Sequence, residues 1–405
     1  MKVIGLMSGT SIDGIDAALV EIKGQNLAVK AQLLNAKTYP YPDTLKQEII
    51  KVSHGQPLSI AEFTALDDEI AYHFAIAAKD IQAQTKEAAL IGSHGQTVYH
   101  RPPILSNQKS SLKKPTNSDP NPSPSLARTD LGYSVQLGRG AIIADLMGIP
   151  TVSNFRAADI AAGGQGAPLV PKVDASLLTH PTKHRAVQNL GGMGNVTYLP
   201  PRNQVNWLQE VRGWDTGPGN ILIDLAITQV TQGKQNYDFN GDYAARGKPC
   251  HELVSKWLKQ NYFEQNPPKS TGRELFNQEY LVRCRLDADE YQLNSYDWLA
   301  TITELTVASI VHSYQTFLKQ VPEEVLLCGG GSHNLYLRQR LQAELKSSRV
   351  VTTAQEGVDS DYKEAIAFAI LAYWRFHNDF PSNLPQVTSA REPLSLGDIA
   401  FPYRN

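Results

Sequence analysis

The sequence predicts an α/β protein built from two similar domains. Its 405 residues exceed the size at which one hydrophobic core stops growing, so two domains are expected. Short apolar runs rich in β-branched residues alternate with segments of helical periodicity, which is typical of α/β domains. In addition, a strand, a glycine-rich turn and a returning strand occur once in each half of the chain.

Composition excludes several classes of protein. Hydrophobic residues make up 41% of the chain and charged residues 19%, and the formal net charge is -2. These values are ordinary for globular proteins, and a charge so near zero predicts neither a nucleic-acid partner nor a membrane partner. The apolar start is too short for a signal peptide, and the three cysteines are too scattered for a disulfide framework. We therefore expect a cytoplasmic protein.

The first half begins with three predicted strands. Val3 to Met7 and Ile15 to Ile22 are rich in β-branched and apolar residues, and they flank the polar turn Ser8 to Gly14. A third strand is expected from Leu27 to Tyr39. This arrangement places a turn rich in hydroxyl and carboxylate groups between the first two strands.

A long helix and a second polar turn follow. Apolar residues recur at intervals of three and four from Ile60 to Ile81, which predicts an amphipathic helix, and Ser59 and Glu62 stand at capping-box spacing before it. The apolar run Ala88 to Ile91 then predicts a buried strand that delivers the turn Ser93 to Thr97 to a site.

An insertion and two boundaries complete the predicted organisation. The stretch from Leu105 to Asp130 is rich in Ser, Pro, Asn and Lys, so it buries too little apolar surface to fold and predicts a mobile insertion. We expect a first lobe over residues 1–153, a second over 154–380, and a tail, 381–405, that packs back on the first lobe.

The second half repeats the opening pattern. Strands are predicted from Arg185 to Leu190 and from Val196 to Leu199, around the glycine-rich turn Gly191 to Asn195. Further on, Trp214 to Asn220 predicts a loop that leads into a helix from Ile221 to Val230.

A last glycine cluster follows another short strand. Val325 to Cys328 predicts the strand and Gly329 to Ser332 a tight turn, with helices expected over Leu335 to Leu345 and Glu364 to Phe376. Glycines let backbone N–H groups converge on phosphate oxygens. No P-loop sequence occurs, and each cluster alone is more often a structural turn. Four clusters that each follow a strand favour a nucleotide-binding protein.

Two aspartates are candidates for chemistry. Asp13 lies in a turn with Thr10 and Ser11, whose hydroxyls can donate to phosphate while the carboxylate holds magnesium through water. The alternative is an Asx turn that caps its own backbone. Asp215 follows Trp214 in a stiff, partly apolar segment, which suits a general base, and its alternative is a helix N-cap.

A polar segment rich in small residues is a candidate for sugar binding. Arg156 can bind a carboxylate bidentately, and Asp159 or Gln165 can hydrogen-bond a sugar. The alternative is an interdomain hinge stiffened by a salt bridge. His94 lies in a His-Gly-Gln triplet, and its alternative is a buried histidine with satisfied hydrogen bonds.

Together these segments resemble the anhydro-N-acetylmuramic acid kinase family, within the superfamily of sugar kinases, Hsp70 and actin. The matching segments span nearly the whole chain in family order. They are Gly5 to Asp16, Gly92 to Thr97, Ala161 to Pro168, Asn189 to Asn195, Trp214 to Asn220, Lys269 to Arg273, and Cys328 to Gly331. This chain has Asn154 where the family usually has Asp.

The resemblance implies two actin-like (ribonuclease H-like) lobes with a nucleotide and sugar cleft between them. It implies an enzyme that uses ATP and Mg²⁺ to convert 1,6-anhydro-N-acetylmuramic acid into N-acetylmuramic acid 6-phosphate, and a homodimer. Asp215 is then the catalytic base, and Asp13 holds the metal through water. The expected ATP-binding residues are Gly9, Thr10, Ser11, Ile12, Asp13, Gly14, Ile15, Asp16, Gly191, Gly192, Gly194, Gly217, Gly330 and Gly331. The expected sugar-binding residues are His94, Gln96, Thr97, Arg156, Asp159 and Gln165.

Two other functions are compatible with these residues. One is a kinase for a different sugar or small acid, in which Asp215 deprotonates a substrate hydroxyl. The other is a non-catalytic, nucleotide-binding module related to actin or Hsp70, although we expect no separate peptide-binding domain after the second lobe.

Overall fold

The computed structural model describes residues 1–9, 12–83, 87–101, 103 and 131–403. The predicted insertion, 105–130, lies outside the described residues, as do Thr10 and Ser11. The strands are β1 (Lys2–Ser8), β2 (Ile15–Lys23), β3 (Lys30–Tyr39), β4 (Leu90–Arg101), β5 (Tyr133–Leu137), β6 (Thr151–Ser153), β7 (Arg185–Leu190), β8 (Gly194–Leu199), β9 (Arg212–Gly217), β10 (Glu324–Cys328), β11 (Arg349–Thr352) and β12 (Asp398–Ala400).

Helices follow or separate these strands throughout. They are α1 (Asp43–Ser53), α2 (Ile60–Ile81), α3 (Gly140–Met147), α4 (Ala157–Ala161), α5 (Pro171–Leu178), α6 (Ile221–Val230), α7 (His251–Trp257), α8 (Asn261–Glu264), α9 (Gln278–Asp289), α10 (Ser295–Phe317), α11 (Leu335–Glu344), α12 (Lys363–His377) and α13 (Pro385–Thr388). Among the described helices, none has a run long and apolar enough to cross a membrane.

The chain divides into two compact units. The first comprises Met1–Lys172 and Ala365–Asn405, and the second comprises Val173–Glu364. These bounds differ from the predicted ones, because α12 returns the chain to the first unit before residue 380. The last strand, β12, pairs with β6 in the sheet of the first unit.

The two units contain sheets that share the order of five strands. In the first, the order is β12-β6-β4-β1-β2-β3, with β5 paired to β4. In the second, it is β11-β10-β7-β8-β9. In each sheet three consecutive strands pair antiparallel, and the next strands add in parallel beside the first of them. The predicted α/β class with a ribonuclease H-like sheet in each half is confirmed.

Several predicted elements are confirmed with close bounds. The helix expected from Ile60 to Ile81 is α2, and Ser59 and Glu62 form the predicted capping box. The helix expected from Glu364 to Phe376 is α12, which is one residue longer at each end. The third strand begins at Lys30 rather than Leu27, because a short 3₁₀ turn precedes it.

Two predicted loops are wrong. Residues Ser93 to Thr97 lie inside β4, and Gly95 accommodates an irregularity there with a φ of 76°. The segment containing Asp215 is strand β9, which pairs antiparallel with β8, and only the residues after Gly217 form the turn before α6. Polar side chains within buried strands produced both errors, because a polar composition is more typical of loops.

Close contact between a helix and two strands fixes the centre of the first unit. Gly5 and Gly92 are paired across the parallel strands β1 and β4. A Cβ atom on Gly5 would overlap the carbonyl oxygen of Ala365, and one on Gly92 would overlap that of Phe368. The backbone of α12 therefore lies directly on the sheet, which only glycine permits.

We predict that Gly92→Ala lowers the free energy of unfolding by about 3 kcal/mol, because the added methyl group forces α12 away from the sheet. Urea unfolding followed by circular dichroism measures this. Gly330→Ala is the control, since a Cβ there meets no atom within 4 Å. A Gly92→Ala protein as stable as the parent would contradict the close packing.

Candidate active site

The turn between β1 and β2 is the first candidate segment. Ser8 joins its two ends, because its hydroxyl lies 2.7 Å from the carbonyl oxygen of Gly14. The N–H group of Ile12 donates to the carbonyl of Gly9 over 3.3 Å. Ile12 has a φ of 58°, a left-handed conformation that is costly for a β-branched residue. Its side chain is buried in the core of this unit, which holds the turn in place.

The carboxamide of Gln96 is hydrogen-bonded to this turn. Its oxygen lies 2.7 Å from the Ser8 hydroxyl and accepts from the hydroxyl of Tyr41 over 3.3 Å. Its nitrogen donates to the carbonyls of Gly9 and Thr97, each over 3.1 Å. Gln96 is fully buried, so the side chain that the sequence assigns to the sugar stabilises the predicted phosphate turn.

Two carboxylates lie at the end of the turn and the start of β2. The side chain of Asp13 is 74% exposed, and its Oδ1 lies 3.7 Å from Nζ of Lys46. Asp16 accepts a hydrogen bond of 2.6 Å from the hydroxyl of Thr38. The described residues contain no group of three His, Cys, Asp or Glu side chains that could hold a metal ion. Magnesium often binds through one carboxylate, phosphate oxygens and water, and the exposed Asp13 fits that mode.

The buried His94 and the half-buried Arg156 form a hydrogen-bonded pair in the first unit. Nδ1 of His94 donates to the Gly95 carbonyl over 2.8 Å, so Nε2 is the acceptor for the Arg156 guanidinium at 2.9 Å. Burial, reinforced by the charge of Arg156, lowers the pKa of His94 to about 3 and keeps the ring neutral. Arg156 also donates to the Gly166 carbonyl over 2.5 Å. These contacts set the orientation of the guanidinium.

Asp159 connects residues 159–166 to residues 383–388 through hydrogen bonds. Its buried carboxylate accepts hydrogen bonds from Asn383 over 2.9 Å, from the Thr388 hydroxyl over 2.6 Å, and from the N–H group of Gly166 over 2.8 Å. The N–H group of Gln165 donates to the Thr388 carbonyl over 2.7 Å. The geometry therefore gives Asp159 a structural role that the sequence does not reveal, because both partner residues lie more than two hundred positions away.

Three glycine turns meet in the second unit. Gly219 has a φ of 53°, and a Cβ atom there would overlap the carbonyl oxygens of Gly191 and Gly192. The N–H group of Asn220 donates to the Gly191 carbonyl over 2.8 Å. A Cβ atom on Gly331 would in turn overlap the Asn220 side chain. The structure therefore brings together predicted glycines that lie far apart in sequence.

The remaining predicted glycines differ in their surroundings. Gly194 and Gly217 are paired across β8 and β9, and Gly217 has a φ of 155°. A Cβ atom on Gly192 or Gly330 would meet nothing within 4 Å. Backbone at these two positions borders open space, which a nucleotide phosphate requires for close approach.

Asp215 lies near the end of β9 and is held from three sides. Its carboxylate oxygen Oδ2 accepts from the N–H group of Thr271 over 2.9 Å. Its backbone N–H group donates to the Lys269 carbonyl over 3.1 Å, and its carbonyl accepts from the Tyr262 hydroxyl over 2.7 Å. Among the described residues, no donor reaches the second carboxylate oxygen. The helix-cap alternative fails, because Asn220 occupies the N-cap position of α6.

The surroundings of Asp215 raise the pKa of its carboxyl group. Burial raises its pKa to about 7 and the charge of Glu274 acts in the same direction, whereas the Thr271 N–H group and the charge of Lys269 oppose the rise. A general base is most effective when its pKa lies near the working pH. Sequence reasoning identified Asp215 but missed Tyr262, Lys269 and Thr271 as its partners, although Lys269 to Arg273 was among the matching segments.

Sequence comparisons with known proteins agree on one family. The family described as "Anhydro-N-acetylmuramic acid kinase" matches residues 1–113 and 125–402. The anhydro-N-acetylmuramic acid kinase of Gloeothece citriformis (strain PCC 7424) is 60% identical over 403 residues, which cover 99% of each chain. The protein of the same name from Rippkaea orientalis is 58% identical over 402 residues, or 99% of this chain and 100% of the other. That from Synechocystis sp. is 56% identical over 400 residues, or 98% of each.

We predict that Asp215→Asn raises the melting temperature relative to the parent at pH 8 and that this gain shrinks as pH falls from 7 to 5. The folded pKa, about 7, lies above the ordinary value of 3.8, so the parent loses stability as pH rises from 3.8 to 7 and loses no more above 7. Thermal unfolding of both proteins between pH 5 and pH 8.5 measures the difference. A difference that does not vary with pH would show that Asp215 has an ordinary pKa.

Proposed function

The chain belongs to the anhydro-N-acetylmuramic acid kinase family, and from this we infer that it is a kinase acting on 1,6-anhydro-N-acetylmuramic acid. It opens the anhydro ring and phosphorylates O6, giving N-acetylmuramic acid 6-phosphate, a step in the recycling of peptidoglycan. Identity of 60% over nearly the whole chain carries this conclusion. As a kinase of this family it uses ATP as the phosphoryl donor.

The reaction couples two bond changes. A water molecule loses a proton and forms a bond to the anomeric carbon, while the bond between that carbon and O6 breaks. The departing O6 forms a bond to the γ-phosphorus of ATP, and ADP leaves. Opening the ring in this way needs a positioned base on the water and stabilised charge on the phosphoryl group.

We propose that Asp215 is the base that takes the proton from water. Its second carboxylate oxygen has no donor among the described residues, and its pKa of about 7 suits a group that is ionised before reaction and protonated after it. The role resembles that of the base in an inverting glycosidase, which also activates water against an anomeric carbon.

We propose that the glycine turns hold ATP. Backbone N–H groups there would stabilise the negative charge of the phosphoryl group as it transfers. Bound Mg²⁺ would supply positive charge next to the phosphates, and the exposed carboxylate of Asp13 would hold it through water. The residues assigned to ATP are Gly9, Thr10, Ser11, Ile12, Asp13, Gly14, Ile15, Asp16, Gly191, Gly192, Gly194, Gly217, Gly330 and Gly331.

We propose that Arg156 binds the lactyl carboxylate of the sugar. A guanidinium pairs with a carboxylate through two parallel hydrogen bonds, and His94 and Gly166 already fix its orientation. The direct sugar-binding roles of His94, Gln96, Thr97, Asp159 and Gln165 stay predictions. The contacts of Gln96 and Asp159 support positioning roles for these two side chains.

Three expectations remain as proposals from family resemblance. They are a homodimer, a cytoplasmic location and a cleft that holds nucleotide and sugar. Light scattering of the purified protein tests the first: a mass near twice 44.6 kDa is expected, and a mass near 44.6 kDa would refute it.

We predict that Asp215→Asn lowers kcat about 1,000-fold, because the neutral amide cannot accept the proton of the attacking water. Phosphorus and proton NMR of the protein with Mg-ATP and 1,6-anhydro-N-acetylmuramic acid follows both the 6-phosphate and the opened ring. Asp242→Asn, which changes an exposed carboxylate in the same unit, is the control. A parent that ignores the anhydro sugar but phosphorylates another hexose would refute the substrate while leaving the fold intact.

We predict that Arg156→Ala raises the KM for the anhydro sugar at least about 10-fold and leaves the KM for ATP unchanged, because a charge-assisted pair with carboxylate is lost. Initial rates with each substrate varied separately measure both constants. Arg283→Ala, which removes an exposed guanidinium from α9, is the control. An unchanged KM for the sugar would remove Arg156 from the substrate site.

A further inference from the structure

Lys269 closes a ring of hydrogen bonds around Asp215. Its Nζ donates to the carbonyls of Tyr262 and Phe263 in α8, over 3.1 and 3.3 Å. The Tyr262 hydroxyl donates to the Asp215 carbonyl, and the Asp215 N–H group donates to the Lys269 carbonyl. The backbone of Asp215 is therefore linked to both ends of one lysine. Two residues further on, Thr271 donates its N–H group to the carboxylate.

The lysine occupies an unusual environment for an ammonium group. It is buried, and its Nζ lies 4.8 Å from the ring centroid of Tyr262 and 4.5 Å from that of Phe317. In the described part of the chain no carboxylate forms a salt bridge with it. Two carbonyl oxygens and two aromatic faces therefore offset the cost of burying the charge. Because an apolar side chain would pack here without that cost, the buried ammonium indicates a functional role.

The positive charge of Lys269 acts on the carboxylate of Asp215. Burial disfavours ionisation of Asp215, and the negative charge of Glu274 acts in the same direction. Lys269 favours ionisation, and reciprocally Asp215 raises the pKa of Lys269, which burial lowers to about 8. The Tyr262 hydroxyl completes the titratable groups around the pair, and burial keeps it protonated by raising its pKa.

We propose that Lys269 is a positioning residue for Asp215: its ammonium connects α8 to the segment that holds Asp215 on β9, and it places a buried positive charge in these surroundings. This inference rests on the proposed role of Asp215 as base. The ring of hydrogen bonds positions Asp215, and the positive charge of Lys269 favours its ionised form.

Variants of Lys269 separate the effect of its charge from the effect of its hydrogen bonds to α8. In Lys269→Met the acidic limb of the pH–kcat profile, near pH 7 in the parent, is expected to move up by roughly one pH unit, as expected for loss of a nearby opposite charge. Lys269→Arg retains the charge and is expected to leave the limb within about 0.3 units. Lys256→Met, which removes an exposed charge from the same unit, is the control. If Lys269→Met does not fold, Lys269→Gln replaces it, because its amide can still donate to α8.

A second readout does not depend on the sugar. The melting-temperature difference between Asp215 and Asp215→Asn proteins is measured against pH in the parent and in the Lys269→Met or Lys269→Gln background. The pH above which this difference stops growing is expected to move from near pH 7 to near pH 8. A variant that melts earlier but keeps this plateau pH and the kinetic limb would show that Lys269 is only a structural contact and overturn the proposal. A shifted plateau pH in a protein that ignores the anhydro sugar would instead refute the proposed substrate.

Discussion

Contact of backbone with backbone at glycine is the constraint on which both units depend. In the first unit, the backbone of α12 lies on Gly5 of β1 and Gly92 of β4. This contact fixes the position of β1, which leads into the predicted phosphate turn. In the second unit, Gly219 lies against the carbonyls of Gly191 and Gly192. Side chains larger than hydrogen at these positions would separate the layers, because protein interiors have no spare volume.

Buried glutamines stabilise the turns that these contacts position. Gln96 is bonded to the turn after β1 through both atoms of its carboxamide. In the second unit, Gln188 on β7 is also fully buried. Its nitrogen lies 3.0 Å from the Asn195 carbonyl and its oxygen accepts from the Tyr314 hydroxyl over 2.9 Å. A buried amide is costly unless every polar atom is bonded, so each glutamine specifies one arrangement of its turn.

The chemistry of Asp215 depends on elements that lie apart in sequence. Strand β9 carries the carboxylate, α8 supplies Tyr262, and the segment after α8 supplies Lys269 and Thr271. Burial makes the group basic, while a buried ammonium and an N–H donor limit the effect. Balance between these opposing contributions, rather than any one of them, places the titration near neutral pH.

The sequence by itself determined the α/β class, the glycine turns, the helix α2 with its cap, and Asp215 as a candidate base, because each depends on local pattern. It missed α10, Ser295–Phe317, since that helix is buried on nearly every side and carries no polar stripe. Only the tertiary structure shows that the side chains of Gln96 and Asp159 form internal hydrogen bonds and that the Lys269 carbonyl accepts a hydrogen bond from the Asp215 N–H group. Folding brings these residues close to partners that lie far away in the sequence, so their contacts cannot be predicted from local pattern or spacing.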